Sequence, residues 1–134
     1  MRFRCLLTVF LLCLSLSLFA QEGGHYTQGM HAYSAAIQSH ANRDLNKAIE
    51  QITSAAGHFH EVKRLKETEV KSLLLLTRWL NERNGDGDLD NAILAGEKAL
   101  KIWNQKKSSL TSEIYSELAL LYSRTDQAEK AVNA

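Results

Sequence analysis

A six-residue motif recurs along the chain and restricts the folds that this sequence can adopt. Residues 44–49 read DLNKAI, residues 88–93 read DLDNAI, and residues 127–132 form a weaker copy, QAEKAV. The alanines that the three copies share, Ala48, Ala92 and Ala131, lie 44 and 39 residues apart. Self-similarity at a spacing of about 20 to 50 residues is typical of proteins that stack one supersecondary unit on the next. The repeat therefore predicts an array of similar units.

Apolar and small residues around the motif recur every three or four positions, which is the period of a helix with one buried face. The sequence contains no proline, and helix-forming residues dominate after residue 25. We find no stretch with the alternation typical of a strand, so we predict an all-α fold. The six predicted helices cover approximately residues 26–40, 45–57, 70–81, 88–104, 108–122 and 127–134.

Short polar segments separate the predicted helices, at residues 42–44, 84–87 and 124–126. Asp88 or Asp90 is expected to cap the fourth helix, and Ser108, Ser109 or Ser112 the fifth. The residues predicted to form the buried faces are Met30, Tyr33, Ala36, Ile37, Leu45, Ala48, Ile49, Ile52, Ala55, Val70, Leu73, Leu74, Leu76, Trp79, Leu80, Leu89, Ala92, Ile93, Ala99, Leu100, Trp103, Ile114, Tyr115, Leu118, Leu121 and Tyr122.

The last unit carries the most specific pattern in the chain. Tyr115, Leu118, Ala119 and Tyr122, followed by Ala131, closely resemble the tetratricopeptide repeat (TPR) motif. The segments that begin at Ala32 and at Leu73 keep the same spacings without the aromatic residues. The middle unit departs from the motif by about three extra residues in the turn at 84–87 and by Gly96 in place of a large apolar residue.

This resemblance implies an α-solenoid of about three antiparallel helix pairs over residues 29–134, with a short last repeat. Small residues at Ala36, Thr77 and Ala119 are expected where the second helix of each pair crosses the first. The resemblance further implies a non-catalytic scaffold that binds a peptide or protein surface in an inner groove lined by the first helix of each pair. Self-association is expected through the C-terminal repeat, which has no capping helix. A closed structural helical bundle is an alternative architecture.

The N-terminal segment has the pattern of an export signal. Arg2 and Arg4 precede an apolar run of about 15 residues, and Ala20 precedes a polar pair. The run is shorter than the roughly 20 residues of a membrane-spanning helix. We therefore predict a signal peptide at residues 1–20, a flexible mature N-terminus at 21–28, and a periplasmic or secreted protein without a stable membrane span. An uncleaved anchor is a competing interpretation, and a lipoprotein is less well supported by the surroundings of Cys13.

Composition excludes several classes of function. The segment after residue 20 has 14 basic and 15 acidic residues, which is unlike a nucleic-acid-binding surface. Both cysteines, Cys5 and Cys13, lie before residue 21, so the remaining chain has no thiol for a disulfide or a nucleophile. A nucleophile elbow and a phosphate-binding glycine loop are also missing from the sequence. We therefore assign no enzymatic activity, and no catalytic, cofactor-binding or metal-ligating residue.

The acidic turn at residues 82–97 gives the alternative function, a calcium-binding helical protein with an EF-hand-like loop at 86–97. In one register the ligands are Asp86, Asp88, Asp90 and Glu97, but Asn91 replaces the required glycine. In the other register, from Glu82, Ile93 replaces the bidentate acid. A solvated turn followed by a helix that has begun by residue 90 is the simpler interpretation.

Three further features are expected to have ordinary structural roles. The five histidines lack helical ligand spacing and are predicted to be surface or half-buried side chains. The basic residues at 63–66 and Lys71 alternate with glutamates, so we predict a salt-bridged helix face. Trp103 lies near a helix end beside lysines, and it is the aromatic residue that we single out as a candidate exposed anchor for a partner.

Overall fold

The computed structural model describes residues 2–103 and 108–132, and the regular structure in these ranges is entirely helical. The α-helices are α1 (Arg2–Ala41), α2 (Leu45–His60), α3 (Lys66–Arg83), α4 (Asp88–Ile102) and α5 (Ser109–Val132), with a 3₁₀ turn at Lys63–Leu65. The prediction of an all-α fold is confirmed. The helix end expected at 104–105 and the last two positions of the predicted final helix, 133–134, lie outside the described residues.

Short polar residues set several helix ends. Asp44 precedes α2, and its carboxylate accepts a hydrogen bond from the backbone N–H of Lys47 at 3.2 Å. Asn84 ends α3 in the left-handed conformation, with φ of 51°, and its N–H donates to the Leu80 carbonyl at 3.0 Å. Before α5, the Ser108 hydroxyl accepts the N–H of Thr111 at 3.2 Å. The predicted turns at 42–44 and at 84–87 thus separate helices as expected.

The first two helices are longer than the sequence indicated. The first is continuous over 40 residues and includes residues 21–28. The backbone is therefore helical at residues 20 and 28, where the sequence analysis placed the ends of the signal peptide and of a flexible segment. The second continues past Gly57 to His60. This extension brings in Phe59, a fully buried side chain that the sequence analysis did not assign to the core.

The predicted break at residues 124–126 is wrong, because α5 runs through it without interruption. The Thr125 hydroxyl donates to the Leu121 carbonyl one turn earlier at 3.1 Å, an arrangement that is compatible with a continuous helix. The segment contains neither glycine nor proline, the residues that most effectively stop a helix. Arg124 instead bonds the side chains of Asn81 and Asn84 at the end of α3.

Each helix packs mainly on the helix that precedes or follows it in sequence. Extended contacts join α1 to α2, α2 to α3, α3 to α4 and α4 to α5, and a smaller contact joins α3 to α5. In the described part of the chain, no extended contact joins α1 to α4 or α5. Two apolar clusters run through this arrangement, one around Ile52 and Phe59 and the other around Val70 and Ile114.

Most of the predicted core is buried or half-buried, with four exceptions on α1 and α5. Met30 and Ile37 are 37% and 43% exposed, and Tyr115 and Tyr122 are 56% and 45% exposed. The helical period places these residues close to the buried side of their helices. The neighbouring helices do not cover the whole of that side, so these four side chains are exposed. The prediction that they are core residues is therefore wrong.

Small residues occupy the closest helix crossings. The motif alanines Ala48 and Ala92 are fully buried, and the side chain of Ala131 lies outside the described residues. A Cβ atom added to Gly29 would lie 2.6 Å from Cε1 of Phe59, so α1 and α2 approach each other closely at this point. A Cβ atom added to Gly96 would lie 2.8 Å from Cδ2 of Leu118 on α5. The departure from the repeat pattern at Gly96 therefore has a steric reason.

We expect Gly29→Ala to destabilise the protein. An alanine favours a helix over glycine by about 1 kcal/mol, but overpacking against the rigid Phe59 ring costs roughly 1 to 3 kcal/mol. A net loss of about 1 kcal/mol in unfolding free energy is expected, measured by chemical denaturation. Gly57→Ala is the matched control, because nothing lies within 4 Å of its added Cβ, and it should stabilise α2. Equal stabilisation by both substitutions would contradict the close crossing.

Candidate functional site

Helices α1, α3 and α5 contribute to one side of the molecule, which we call the α1–α3–α5 face. Its members recur at helical spacing on each of the three helices. On α1 they are Met30, Tyr33, Ile37 and His40; on α3 they are Glu67, Lys71, Leu75, Arg78 and Glu82; on α5 they are Glu113, Glu117, Leu120 and Arg124. These side chains are exposed or half-buried, so the face is available to another molecule.

Charged hydrogen bonds fix α5 beside α3 on this face. The Nε atom of Arg78 donates to Oε1 of Glu117 at 2.8 Å, and its Nη2 atom lies 3.8 Å from Oε2 of Glu113. Two turns further along α5 than Glu117, Arg124 donates to the side-chain oxygens of Asn81 and Asn84. Because the Arg78 pair is only half-exposed, it holds the two helices in register more firmly than a free surface pair would.

His40 links α1 to α3 at the same face. Its Nε2 atom lies 2.9 Å from Oε2 of Glu82, and its ring stacks on Trp79 with a centroid distance of 4.7 Å and an angle of 13°. Trp79 is buried in the core. The contact therefore connects the surface of the face to the packing beneath it.

The face is acidic in balance. It carries four carboxylates, Glu67, Glu82, Glu113 and Glu117, against the cations of Lys71, Arg78 and Arg124. The Glu67 carboxylate, 2.8 Å from the Lys71 ammonium, raises the pKa of that lysine. Each of these cations already contacts a carboxylate or an amide oxygen. A binding partner would therefore meet exposed apolar groups beside charges that are already paired.

Exposed apolar side chains lie at both edges of these charges. Met30 and Ile37 are on α1, and Leu120, 51% exposed, is on α5. Tyr33, also on α1, packs near Phe59 with a ring-centroid distance of 6.4 Å. Apolar groups on a rigid backbone, next to ordered polar groups, suit the binding of an extended or helical segment.

The acidic turn at 84–88 is organised around an ion pair between Arg83 and the buried carboxylate of Asp88. Asp88 is 3% exposed, and its two carboxylate oxygens accept hydrogen bonds from Nε and Nη2 of Arg83 at 2.8 and 2.7 Å. One of the same oxygens also accepts the N–H of Gly85 at 2.8 Å. Arg83 reaches Asn46 on α2 with its other terminal nitrogen. The turn thus ties α3, α4 and α2 together.

Capping of α4 differs from the expectation. Gly87, with φ of 79°, occupies the N-cap position, and Asp88 is the first helical residue. Neither Asp88 nor Asp90 caps the helix with its side chain. Both oxygens of Asp88 are used within the protein, and Glu97 accepts the Tyr122 hydroxyl at 2.6 Å. Within residues 2–103 and 108–132, no group of three or more potential ligands is arranged to hold a metal ion.

The histidines contact residues on neighbouring helices, which their sequence spacing did not reveal. His25 on α1 and His58 on α2 share a hydrogen bond between their Nδ1 atoms at 3.1 Å. The Nδ1 atom of His60 lies 2.8 Å from Oε1 of Glu69, a carboxylate that is almost fully buried. The prediction of surface or half-buried side chains is confirmed for all five histidines.

The basic segment at 63–66 does not form a single helix face, because it begins in the 3₁₀ turn. Lys71 pairs with Glu67 one turn away, as predicted. Lys63 and Lys66 instead line a cavity of about 350 Å³, together with Lys101 and His60. Glu69 lies in the same cavity and moderates its positive charge.

Trp103 does not have the exposure expected of an anchor. It is half-buried at the end of α4, and its indole N–H donates to the Ser108 hydroxyl at 2.9 Å. It therefore connects the end of α4 to the start of α5. The candidate site is better placed on the exposed apolar residues of the α1–α3–α5 face, which the sequence analysis had assigned to the core or had not singled out.

Comparisons with protein-family models, with curated proteins and with solved structures gave no match. Among the described residues, no helix combines the length and the apolar character needed to cross a membrane.

Asp88→Asn should remove a pH-dependent part of the stability. The hydrogen bonds from Arg83, and then the one from Gly85, lower the pKa of Asp88 to about 2, against the opposing effect of burial. An unfolded aspartate has a pKa of about 3.9. The stabilisation is therefore complete above pH 4 and is lost as the pH falls toward 2. The substitution should lower the unfolding free energy at neutral pH by about 1 to 2 kcal/mol.

The measurement is thermal and chemical unfolding of both proteins between neutral pH and pH 2. The difference between wild type and variant should shrink as the pH falls through this window. Asp86→Asn, at an exposed position in the same turn, is the control and should change little. A difference that stays constant with pH would show that Asp88 does not act through its charge.

Proposed function

We propose that this chain is an exported, non-catalytic scaffold of the TPR-like type, which binds a peptide or protein segment on the α1–α3–α5 face. The observation that carries the proposal is that alternate helices in sequence supply one face, on which Arg78 and His40 join α3 to its two neighbours. Alternate helices lining a shared face are what a helix-pair array requires.

Two packing features support the array over a closed bundle. Each helix packs chiefly on its sequence neighbours, and α1 has no extended contact with α5 within the described ranges. The equivalent small residues Ala36 and Thr77 are both fully buried, as the close crossing within a helix pair requires. A closed bundle would instead bring the first and last helices together.

The expected ligand is a segment with apolar and basic side chains. Met30, Ile37 and Leu120 provide apolar contact, and the acidic balance of the face favours cationic groups beside them. The hydrogen-bonded charges contribute mainly to orientation, because they are already paired. The free energy of binding is expected to come chiefly from the apolar side chains that the ligand covers.

Peptides selected from a displayed random library against the purified protein should lose affinity when Ile37 and Leu120 are both changed to glutamate. We expect a loss of about tenfold or more, because each change replaces an apolar contact with a charge. Gln38→Glu is the control: it adds the same charge next to Ile37 but points about 100° away on the helix. Titration by fluorescence anisotropy measures the affinities. Selected peptides that bind the double variant as tightly as wild type would place the binding surface elsewhere.

Export is tested separately, on the full chain expressed in an export-competent bacterial host. The N-terminal peptide of the exported protein, identified by mass spectrometry, should begin at Gln21. Replacing Leu12 and Leu14 with aspartate interrupts the apolar run and should retain the chain in the cytoplasm with its original N-terminus. An exported protein that keeps residues 1–20 would support the membrane-anchor interpretation instead.

A further inference from the structure

Among the described residues, no helix covers Ala119 on α5. Ala36, Thr77 and Ala119 occupy the same place in the three sequence repeats. Ala36 and Thr77 are fully buried, and the helix that follows each of them packs over it, as the approach of Gly96 to Thr77 shows. Ala119 is exposed, and α5 continues without interruption to Val132, through residues 124–126, where the sequence predicted a turn into the second helix of the pair.

Between residues 112 and 123, the exposed side of α5 around Ala119 carries no charged side chain of its own. Glu97 of α4 lies beside it at Tyr122, and Asp126 follows one turn further along α5. The members of this exposed side lie opposite the buried Ile114 and Leu121. They are Ser112, Tyr115, Ser116, Ala119, Tyr122 and Ser123, and all six are exposed. We call this surface the α5 outer face. It is distinct from the α1–α3–α5 face, which lies on the flank of α5 that carries Glu113 and Glu117.

Several hydroxyl groups on the α5 outer face already have partners within the protein. The Ser112 and Ser116 hydroxyls donate to carbonyls one turn earlier, at 3.4 and 2.9 Å. The Tyr122 hydroxyl donates to Glu97, which raises the pKa of the tyrosine. Burying these hydroxyl groups in an interface therefore leaves few hydrogen-bond donors without a partner. The desolvation cost, which usually opposes the burial of a polar surface, is correspondingly small.

Each large residue near Ala119 is matched by a small residue at the same distance on the other side of Ala119. Tyr115 and Ser116 precede it by four and three positions, and Tyr122 and Ser123 follow it by three and four. If a second α5 helix lies antiparallel across Ala119, Tyr115 of one copy faces Ser123 of the other. Tyr122 in the same way faces Ser116. Large side chains then meet small ones along the contact, and the two alanines permit close approach at its centre.

We propose that two copies of this chain associate through the α5 outer face, with their α5 helices antiparallel about a two-fold axis at Ala119. Such an interface is isologous. In the antiparallel register Asp126 of one copy lies opposite the uncharged Ser112 of the other, so like charges do not face each other along α5. Each copy supplies the helix that covers the other copy's Ala119. The proposal uses the repeat spacing that also supports the proposed function, but it does not require the α1–α3–α5 face to bind anything.

The first test is the molar mass of the full chain, purified from the exporting host, by light scattering and sedimentation equilibrium over a range of concentrations. Wild type should reach twice the monomer mass. Ala119→Glu should weaken dimerisation by about 100-fold or more, because it places a charge at the centre of the contact in both copies. Ala41→Glu makes the same change at an exposed position on α1, and it should dimerise as wild type does. Circular dichroism should show equal helicity in both variants.

The antiparallel arrangement is tested by disulfide formation in a Cys5→Ser/Cys13→Ser background. A mixture of Tyr115→Cys and Ser123→Cys proteins should form a mixed disulfide dimer faster than either protein alone. Wild type that is monomeric at all concentrations, or Ala119→Glu that dimerises as well as Ala41→Glu, would overturn the proposal. So would faster cross-linking of the single proteins, because it would indicate parallel helices. The peptide-binding test with the double variant Ile37→Glu/Leu120→Glu is independent of dimerisation. Failure of the dimerisation proposal can therefore be distinguished from failure of the proposed function.

Discussion

Close approach between consecutive helices is the constraint on which the rest of this structure depends. At the crossings, side chains of one carbon or none let the backbones approach, as at Gly29, Ala48, Ala92 and Gly96. Larger residues there would separate the helices and open both apolar clusters, because protein interiors tolerate little added volume. The large core side chains, such as Phe59 and Ile114, fill the space beside these crossings rather than at them. The repeated alanines are therefore steric requirements of the packing.

Polar contacts then fix the relative positions of helices that the apolar packing has brought together. Arg83 joins α3 to α4 and α2, Arg124 joins α5 to the end of α3, and His40 joins α1 to α3. Arg83 and His40 lie at or near the ends of their own helices, and Arg124 reaches the end of α3. Directional hydrogen bonds restrict sliding and rotation that nonspecific apolar contact would permit. The exposed faces on which we place binding therefore rest on a rigid support.

The sequence was sufficient for the helical class, the turns at 42–44 and 84–87, and most of the core, because these depend on local periodicity and on residues such as Asp44 and Asn84. It was insufficient at 124–126, where polar residues resemble a turn but bond to α3 and leave the helix intact. Periodicity also placed Ile37 and Tyr115 in the core, since it identifies a face but not how far the neighbouring helix covers it. Contacts such as that between His25 and His58 depend on the register between two helices. The spacing of residues along the sequence carries no information about that register.

Packing between helices that are neighbours in sequence also affects folding and local unfolding. Most contacts join segments close together in the chain, so little loop-closure entropy opposes their formation, and folding on the microsecond-to-millisecond scale is the usual result. The contacts are less extensive toward α5 than between α1 and α2. Amide hydrogens in α5 should consequently exchange with solvent through local opening events of lower free energy than those of α2 and α3. The C-terminal helix is then the part of the fold whose order depends most on what it contacts.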